Sequence, residues 1–241
     1  MPHTLALAKA EIVRLGRNKR YFLFTLALPV VMYLIIGKQK ATAYGVDFQV
    51  FYMISMATLG GFSGALAGNA QRIAQEKKDG WIRQLRLTPL PANGYVVSKV
   101  IVSMATTVPS VLLVLVLGRF YGNVHLPAWQ WPVLAVTIWF GTTIFAALAV
   151  ALGYKFAPDQ VQPLAFLFYM VFAILGGIWF PIGGVLQKIG EVLPTYQVIK
   201  ICTDVVLGSS VPMALPIGLV IWMAVFVGLA TFAVRSTAES V

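Results

Sequence analysis

The chain has 241 residues, of which 59% are hydrophobic and only 11% charged, and its net charge is +10. Soluble domains carry about 25% charged residues, so a water-soluble globule is excluded and lipid is the expected solvent. In lipid the basic excess reads as residues flanking membrane spans and not as a nucleic-acid surface. Cys202 stands alone, which excludes an internal disulfide, and His3 and His125 lack ligand-like spacing for a metal.

Residues 4–17 place Leu5, Ala8, Ile12 and Leu15 at helical spacing, with Lys9, Arg14 and Arg17 elsewhere on the wheel. The pattern predicts a basic amphipathic helix lying along the inner membrane surface. A plain extension of the first span into water is the alternative. Gly16, Asn18 and Lys19-Arg20 loosen the helix before the lipid begins and favour the interfacial form.

Six transmembrane helices are expected, over 21–37, 48–70, 100–118, 133–154, 160–180 and 213–234. A helix needs roughly 20 residues to cross the hydrocarbon. The first run is short, and Arg20 and Lys38 can extend their charged tips to the two interfaces. Its basic start, apolar core and Ala41-Thr42-Ala43 also mimic a secretory signal peptide. Lys38 and Lys40 just before the Ala-x-Ala argue against cleavage. In the second span Gly60, Gly64 and Gly68 recur every four residues. Small residues at that spacing let helix backbones approach closely in lipid. The seam can lie between subunits or within one bundle.

The segment 71–99 is the one long hydrophilic insert. It carries Arg72, Lys77, Lys78, Arg83, Arg86 and Lys99 against Glu76 and Asp79. A short helix is expected over 74–87, interrupted by Gly80 and ended by Thr88-Pro89. Its apolar members Trp81, Ile82, Leu85 and Leu87 face no lipid core. A basic stretch resting on anionic headgroups explains the arginines, but it does not explain Glu76, Asp79 and Gly80.

The third span holds Pro109, a kink that neighbouring helices relieve. An external loop over 119–132 contains Trp129 and Trp131, and a tight inner turn over 155–159 contains Pro158. The fifth span breaks at Gly176-Gly177 and Pro181. Between 181 and 212 two apolar faces, Leu186/Ile189/Leu193 and Val198/Ile201/Cys202/Val205, are separated by Pro194. Two short re-entrant helices in the outer leaflet fit this pattern if protein covers their ends. With six crossings and both termini inside, thirteen of the 18 Lys and Arg residues face the cytoplasm, as the positive-inside rule requires. No phosphate-binding Gly-rich loop with a following Lys-Ser/Thr is present, and no catalytic set of side chains. The expected span interiors hold no charged residue or histidine, which argues against ion-driven transport. The energy source is expected in another polypeptide.

Glu76-x-x-Asp79-Gly80, then Gln84-Leu85, Thr88-Pro89 and Lys99, resemble the signature loop of ABC-2 type transporter permeases. Gly177-Ile178-Trp179-Phe180-Pro181 followed by Leu193-Pro194 resembles that family's second landmark. Trp81-Ile82-Arg83 stands where the family has Thr-Leu-Glu, and Ser98 where it has Gly, which bears on the side chains that dock. The resemblance covers almost the whole chain and implies a single all-α membrane domain over 1–241. It implies that 71–99 holds a cytoplasmic coupling helix, with Glu76, Asp79, Gly80, Trp81, Leu85, Leu87, Thr88 and Pro89 as the coupling residues. On that reading Trp81, Leu85 and Leu87 are the candidates for a docked foot, and Glu76 and Asp79 are expected either to meet basic groups on an ATPase or to position that foot. It implies an outer gate at Gly177, Phe180, Pro181 and Pro194. It implies two copies of a separate ATPase subunit that bind ATP and Mg, and a second permease copy, identical or paralogous. No cofactor, metal or catalytic residue is expected in this chain, and no nucleic-acid partner. The implied role is the permease of an exporter that moves a hydrophobic or amphipathic substrate, a drug, antibiotic or lipid, out of the cell across the cell membrane; a non-transporting membrane scaffold or assembly protein is the alternative.

Overall fold

Apolar segments in lipid must satisfy their own backbone hydrogen bonds, and an α-helix does so within one segment. The computed structural model describes residues 8–14, 19–39, 41–81, 84 and 92–238, and they are mostly helical. A helical segment α1 (8–14) is followed by α2 (Lys19–Ile36) and a two-stranded hairpin, β1 (Thr42–Ala43) with β2 (Val46–Asp47). Then come α3 (Phe48–Ser63), a π-helical turn (Gly64–Gly68), α4 (Asn69–Lys78) and α5 (Ala92–Phe120). The chain continues as α6 (Gln130–Thr143), α7 (Phe145–Lys155), α8 (Pro158–Leu175), α9 (Gly184–Gly190), α10 (Pro194–Leu207) and α11 (Ala214–Ala238).

Among the described residues five helices are long and apolar enough to cross a membrane: Phe48–Lys78, Gly94–Phe120, Gln130–Lys155, Pro158–Leu175 and Ala214–Ser236. They take the places of the last five expected spans. At the first, α2 is helical, but its apolar part within the described residues is the shorter Leu26–Ile36. Several boundaries differ from expectation. The second span does not stop at residue 70 but runs on to Lys78, and the third begins before residue 100, so much of the expected polar loop is helix. The fifth ends at Leu175 and not at 180, where Gly176 and Gly177 (φ +72°) stop it.

The second span is the central post. Its apolar window is 89% buried in the chain, against 22% for Ala214–Ser236 at the periphery. Phe62 is its main anchor. Its ring lies 4.3 Å from Phe145 and 5.3 Å from Tyr169, and the cluster continues through Phe172 to Trp222 and Phe226. Such offset and edge-on pairs add about 0.5–1.5 kcal/mol each beyond their burial.

Glycine brings this post against its neighbours. A Cβ at Gly60 would sit 2.1 Å from Ser110 Oγ and 3.3 Å from Pro29 Cγ, and one at Gly61 only 2.5 Å from Thr142 Oγ1. At Gly60, therefore, the small-residue row serves a contact within one chain. The expected even spacing of Gly60, Gly64 and Gly68 does not continue as α-helix, because Gly64 to Gly68 form the π turn. The wider turn rotates Gly68 off the row. Asn69 closes the resulting gap, its Nδ2 donating to Ala65 O at 3.0 Å and Gly64 O at 3.4 Å. Gly60→Ala is expected to destabilise the chain by about 1–3 kcal/mol through overpacking. Thermal unfolding in detergent checks this, and adding Ser110→Gly should recover part of the loss.

The hairpin adds to the expected elements a short antiparallel pair, Thr42 with Asp47 and Ala43 with Val46. Its turn residues Tyr44 and Gly45 have φ of 51° and 84°. A two-residue hairpin loop favours positive φ at both positions, and Gly45 supplies the second without strain.

Candidate functional site

The expected coupling segment begins where α4 ends. Asp79 N–H bonds Gln75 O at 2.9 Å and Gly80 N–H bonds Lys77 O at 3.2 Å. Gly80 then adopts φ +76°, the left-handed conformation that terminates a helix. Lys77 and Lys78 in the last turn suit the negative end of the helix dipole. Trp81 follows and is 39% exposed; the Gln84 amide bonds back to Gly80 O, the start of a new helical turn. Leu85, Leu87, Thr88 and Pro89, with 82 and 83, lie outside the described residues. Asp79 is exposed and accepts a hydrogen bond from Gln75 at 2.8 Å.

Glu76 has a different setting. It is buried, and Lys99 Nζ lies 2.7 Å from its Oε2. The same ammonium lies 2.7 Å from Glu11 Oε1 on α1. Arg72 completes the group, 3.4 Å from Glu11 and 3.7 Å from Glu76. Tyr95 donates to Glu76 Oε2 at 3.0 Å, and the Lys99 ammonium stands 4.9 Å over the Tyr95 ring. Two acids and two bases make the cluster neutral. That balance is what allows Lys99 to be 0% exposed, since an unpaired buried charge is strongly destabilising. The Glu76 carboxylate is engaged within the chain by Lys99, Tyr95 and Arg72. The helices run past the charge-free stretches expected as spans, and these charges sit in the added turns. Arg72, Glu76 and Lys99 all lie within helices of spanning length, at the end nearest α1, and mutual neutralisation makes this tolerable.

The cluster joins three elements. Ala8 and Ile12 of α1 pack on Val102 and Ile101 of α5, so the expected apolar face of the first helix meets protein there. Glu11 lies between them in sequence and reaches the same side. From the cluster, Arg72 donates to Asn69 Oδ1 at 2.9 Å, and Asn69 donates to Ser103 Oγ at 3.1 Å and to the π-turn carbonyls. A continuous polar chain thus runs from the base of the 79–91 connection to the π turn.

At the far end of the bundle, the expected gate residues separate. Gly177 and Pro194 are buried, whereas Pro181 and Phe180 are exposed, Phe180 to 67%. Thr195 Oγ1 donates to Phe172 O at 2.7 Å and ties the start of α10 to the end of α8. Tyr44, missed by sequence reasoning, fastens the chain after Pro181: its hydroxyl accepts from Ile182 N at 2.7 Å and donates to Ile182 O at 3.1 Å. Burial pushes this hydroxyl above its ordinary range, so it stays protonated and able to donate. The two short helices expected over 181–212 are α9 and α10. The face of α10 with Val198, Ile201 and Cys202 is buried in the bundle, whereas Leu186 and Ile189 of α9 are half exposed.

Between α2, the π turn and α8 lies a cavity of about 300 Å³, lined by Leu28, Ser63, Ala67, Gly68, Gln162, Phe166 and Tyr169. It is mainly apolar with a few polar groups, the usual composition of a small-molecule site.

A family model described as "ABC-2 family transporter protein" matches residues 36–233. A protein of Bacillus subtilis (strain 168), "Putative transport permease YvfS", is 26% identical over 237 residues, covering 96% of this chain and 96% of that protein.

Proposed function

The chain belongs to the ABC-2 transporter family, and from that premise we propose that it is the transmembrane permease subunit of an ATP-driven exporter. It crosses the cell membrane six times with both termini in the cytoplasm, α2 supplying the first crossing. Two copies of a separate ATPase subunit hydrolyse ATP, and a second permease copy completes the pathway. Trp81 and the apolar residues after it form the foot that docks on the ATPase.

The observation that carries this reading is the ion pair between Glu76 and Lys99 at 2.7 Å. It closes the base of the 77–98 segment, so a displacement that reaches this base bears on both helices at once. It acts on α4 and α5 together, and on α1 through Glu11. Through Arg72 and Asn69 the same displacement bears on the π turn, a helix irregularity of the kind often found at functional sites. The π turn borders the apolar cavity, where a hydrophobic or amphipathic cargo such as a drug, antibiotic or lipid would rest. The two short helices after α8 close the outer exit, re-entrant in the outer leaflet and fastened by Tyr44.

Affinity purification of the tagged chain from its native membrane tests the reading. An ABC ATPase should copurify, and ATP hydrolysis by the complex should respond to exported compounds. Absence of any ATPase from a folded, dimeric sample would favour the scaffold alternative and sink this one.

A further inference from the structure

We propose that a cleft at the ends of three spans binds the phosphate of an anionic membrane phospholipid. The cleft holds about 550 Å³ and is lined by Ala74, Lys77, Lys78, Lys155, Phe156, Ala157, Pro158, Asp159 and Gln160. Its position follows from helix ends. The helix Phe48–Lys78 ends in it, Gln130–Lys155 ends in it, and Pro158–Leu175 starts from it. Membrane spans end at the level where phospholipids place their phosphates.

Three lysines converge on this cleft against one acid, Asp159. Lys77 donates to Tyr154 O at 2.5 Å, which fixes it at the end of α7. Lys78 and Lys155 are exposed and make no ion pair among the described residues. Like charges held together repel one another unless an anion joins them. The start of α8 adds the positive end of a helix dipole. This is separate from the Glu11–Lys99 cluster, which is neutral and closed, whereas the cleft is basic and open.

The neighbouring surface selects a lipid over a free anion. Pro163, Leu167, Val171 and Ile174 recur at three- and four-residue spacing along α8 and are all exposed. They form one apolar strip leading away from the cleft. A phosphate seated among the lysines would lay its acyl chain along that strip. Basic clefts between spans bind anionic headgroups in this way. The inference needs only that these helices span a membrane, and it stands or falls apart from the transport reading.

Native mass spectrometry of the full chain in detergent tests it, with phosphatidylglycerol, phosphatidylcholine and inorganic phosphate as separate probes. Phosphatidylglycerol adducts should persist and phosphatidylcholine adducts should not, and excess inorganic phosphate should fail to displace the bound lipid. Each lysine near an anionic headgroup is worth about fivefold in affinity, so Lys78→Gln with Lys155→Gln should weaken phosphatidylglycerol binding about thirtyfold. The pair Lys78→Arg with Lys155→Arg should retain binding, and so should Lys38→Gln, whose ammonium stacks 3.8 Å over Tyr121 on another part of the chain. Equal retention of phosphatidylcholine, displacement by inorganic phosphate, or unchanged phosphatidylglycerol binding in the double Gln variant would each overturn the proposal.

Discussion

Lys99→Met is expected to destabilise the chain by about 3–5 kcal/mol, the usual effect of breaking a buried ion pair from one side. The side chain is 0% exposed, and its ammonium lies 2.7 Å from both Glu11 and Glu76. Methionine fills a similar volume but leaves two buried carboxylates against one guanidinium. Arg72 stands farther off, at 3.4 and 3.7 Å, and cannot satisfy both. Three helices lose their common fastening, so the expected result is a large fall in monodisperse protein after detergent extraction and in its unfolding temperature. Adding Glu76→Gln restores one acid against one base and should recover most of the loss. By contrast, Lys38→Met removes a partly exposed cation–π contact worth about 0.5–1 kcal/mol. Wild-type stability in Lys99→Met, or no recovery with Glu76→Gln, would show that the charges do not act as one cluster.

The pairing of Glu76 with Lys99 illustrates what the sequence makes legible. Both residues stand out as the polar ends of one motif, but nothing in their order says that they meet. Their contact depends on α4 and α5 lying side by side, and Glu11 comes from 88 residues before Lys99. Charge-free runs locate the lipid-facing parts of helices and not their ends. Arg72, Gln75, Glu76 and Lys77 are good helix formers, so α4 continues past the first charge until Gly80 stops it. The break at Gly176-Gly177 was readable because glycine changes the backbone itself. Its fastening was not, because Tyr44 lies 138 residues from Ile182 and a lone tyrosine in a polar connection carries no signal. The π turn was hidden for a related reason. Glycines four apart look like an α-helical row, and only the carbonyls taken up by Asn69 reveal the extra residue.

If Trp81 has the proposed coupling role, Trp81→Ala should lower ATP-dependent transport at least about tenfold per folded chain. Trp81 follows directly on Gly80, whose left-handed conformation ends the rigid α4. It is 39% exposed, so part of its ring faces outward while the rest packs against the chain. Truncating the covered part costs some stability, so transport is to be read per folded chain. An aromatic anchor at a protein interface, in contrast, commonly contributes about 2 kcal/mol or more, a factor of roughly thirty in affinity. Per folded chain, the expected result is weaker capture of the ATPase and lost transport. Trp81→Phe keeps a ring and should retain much of the activity. Leu85→Ala should act in the same direction if both residues belong to one foot. Transport by the Trp81→Ala, Leu85→Ala chain at the wild-type rate, with its ATPase still bound, would remove the foot from this segment. A fall in folded protein that matches the fall in transport would assign Trp81 to internal packing instead.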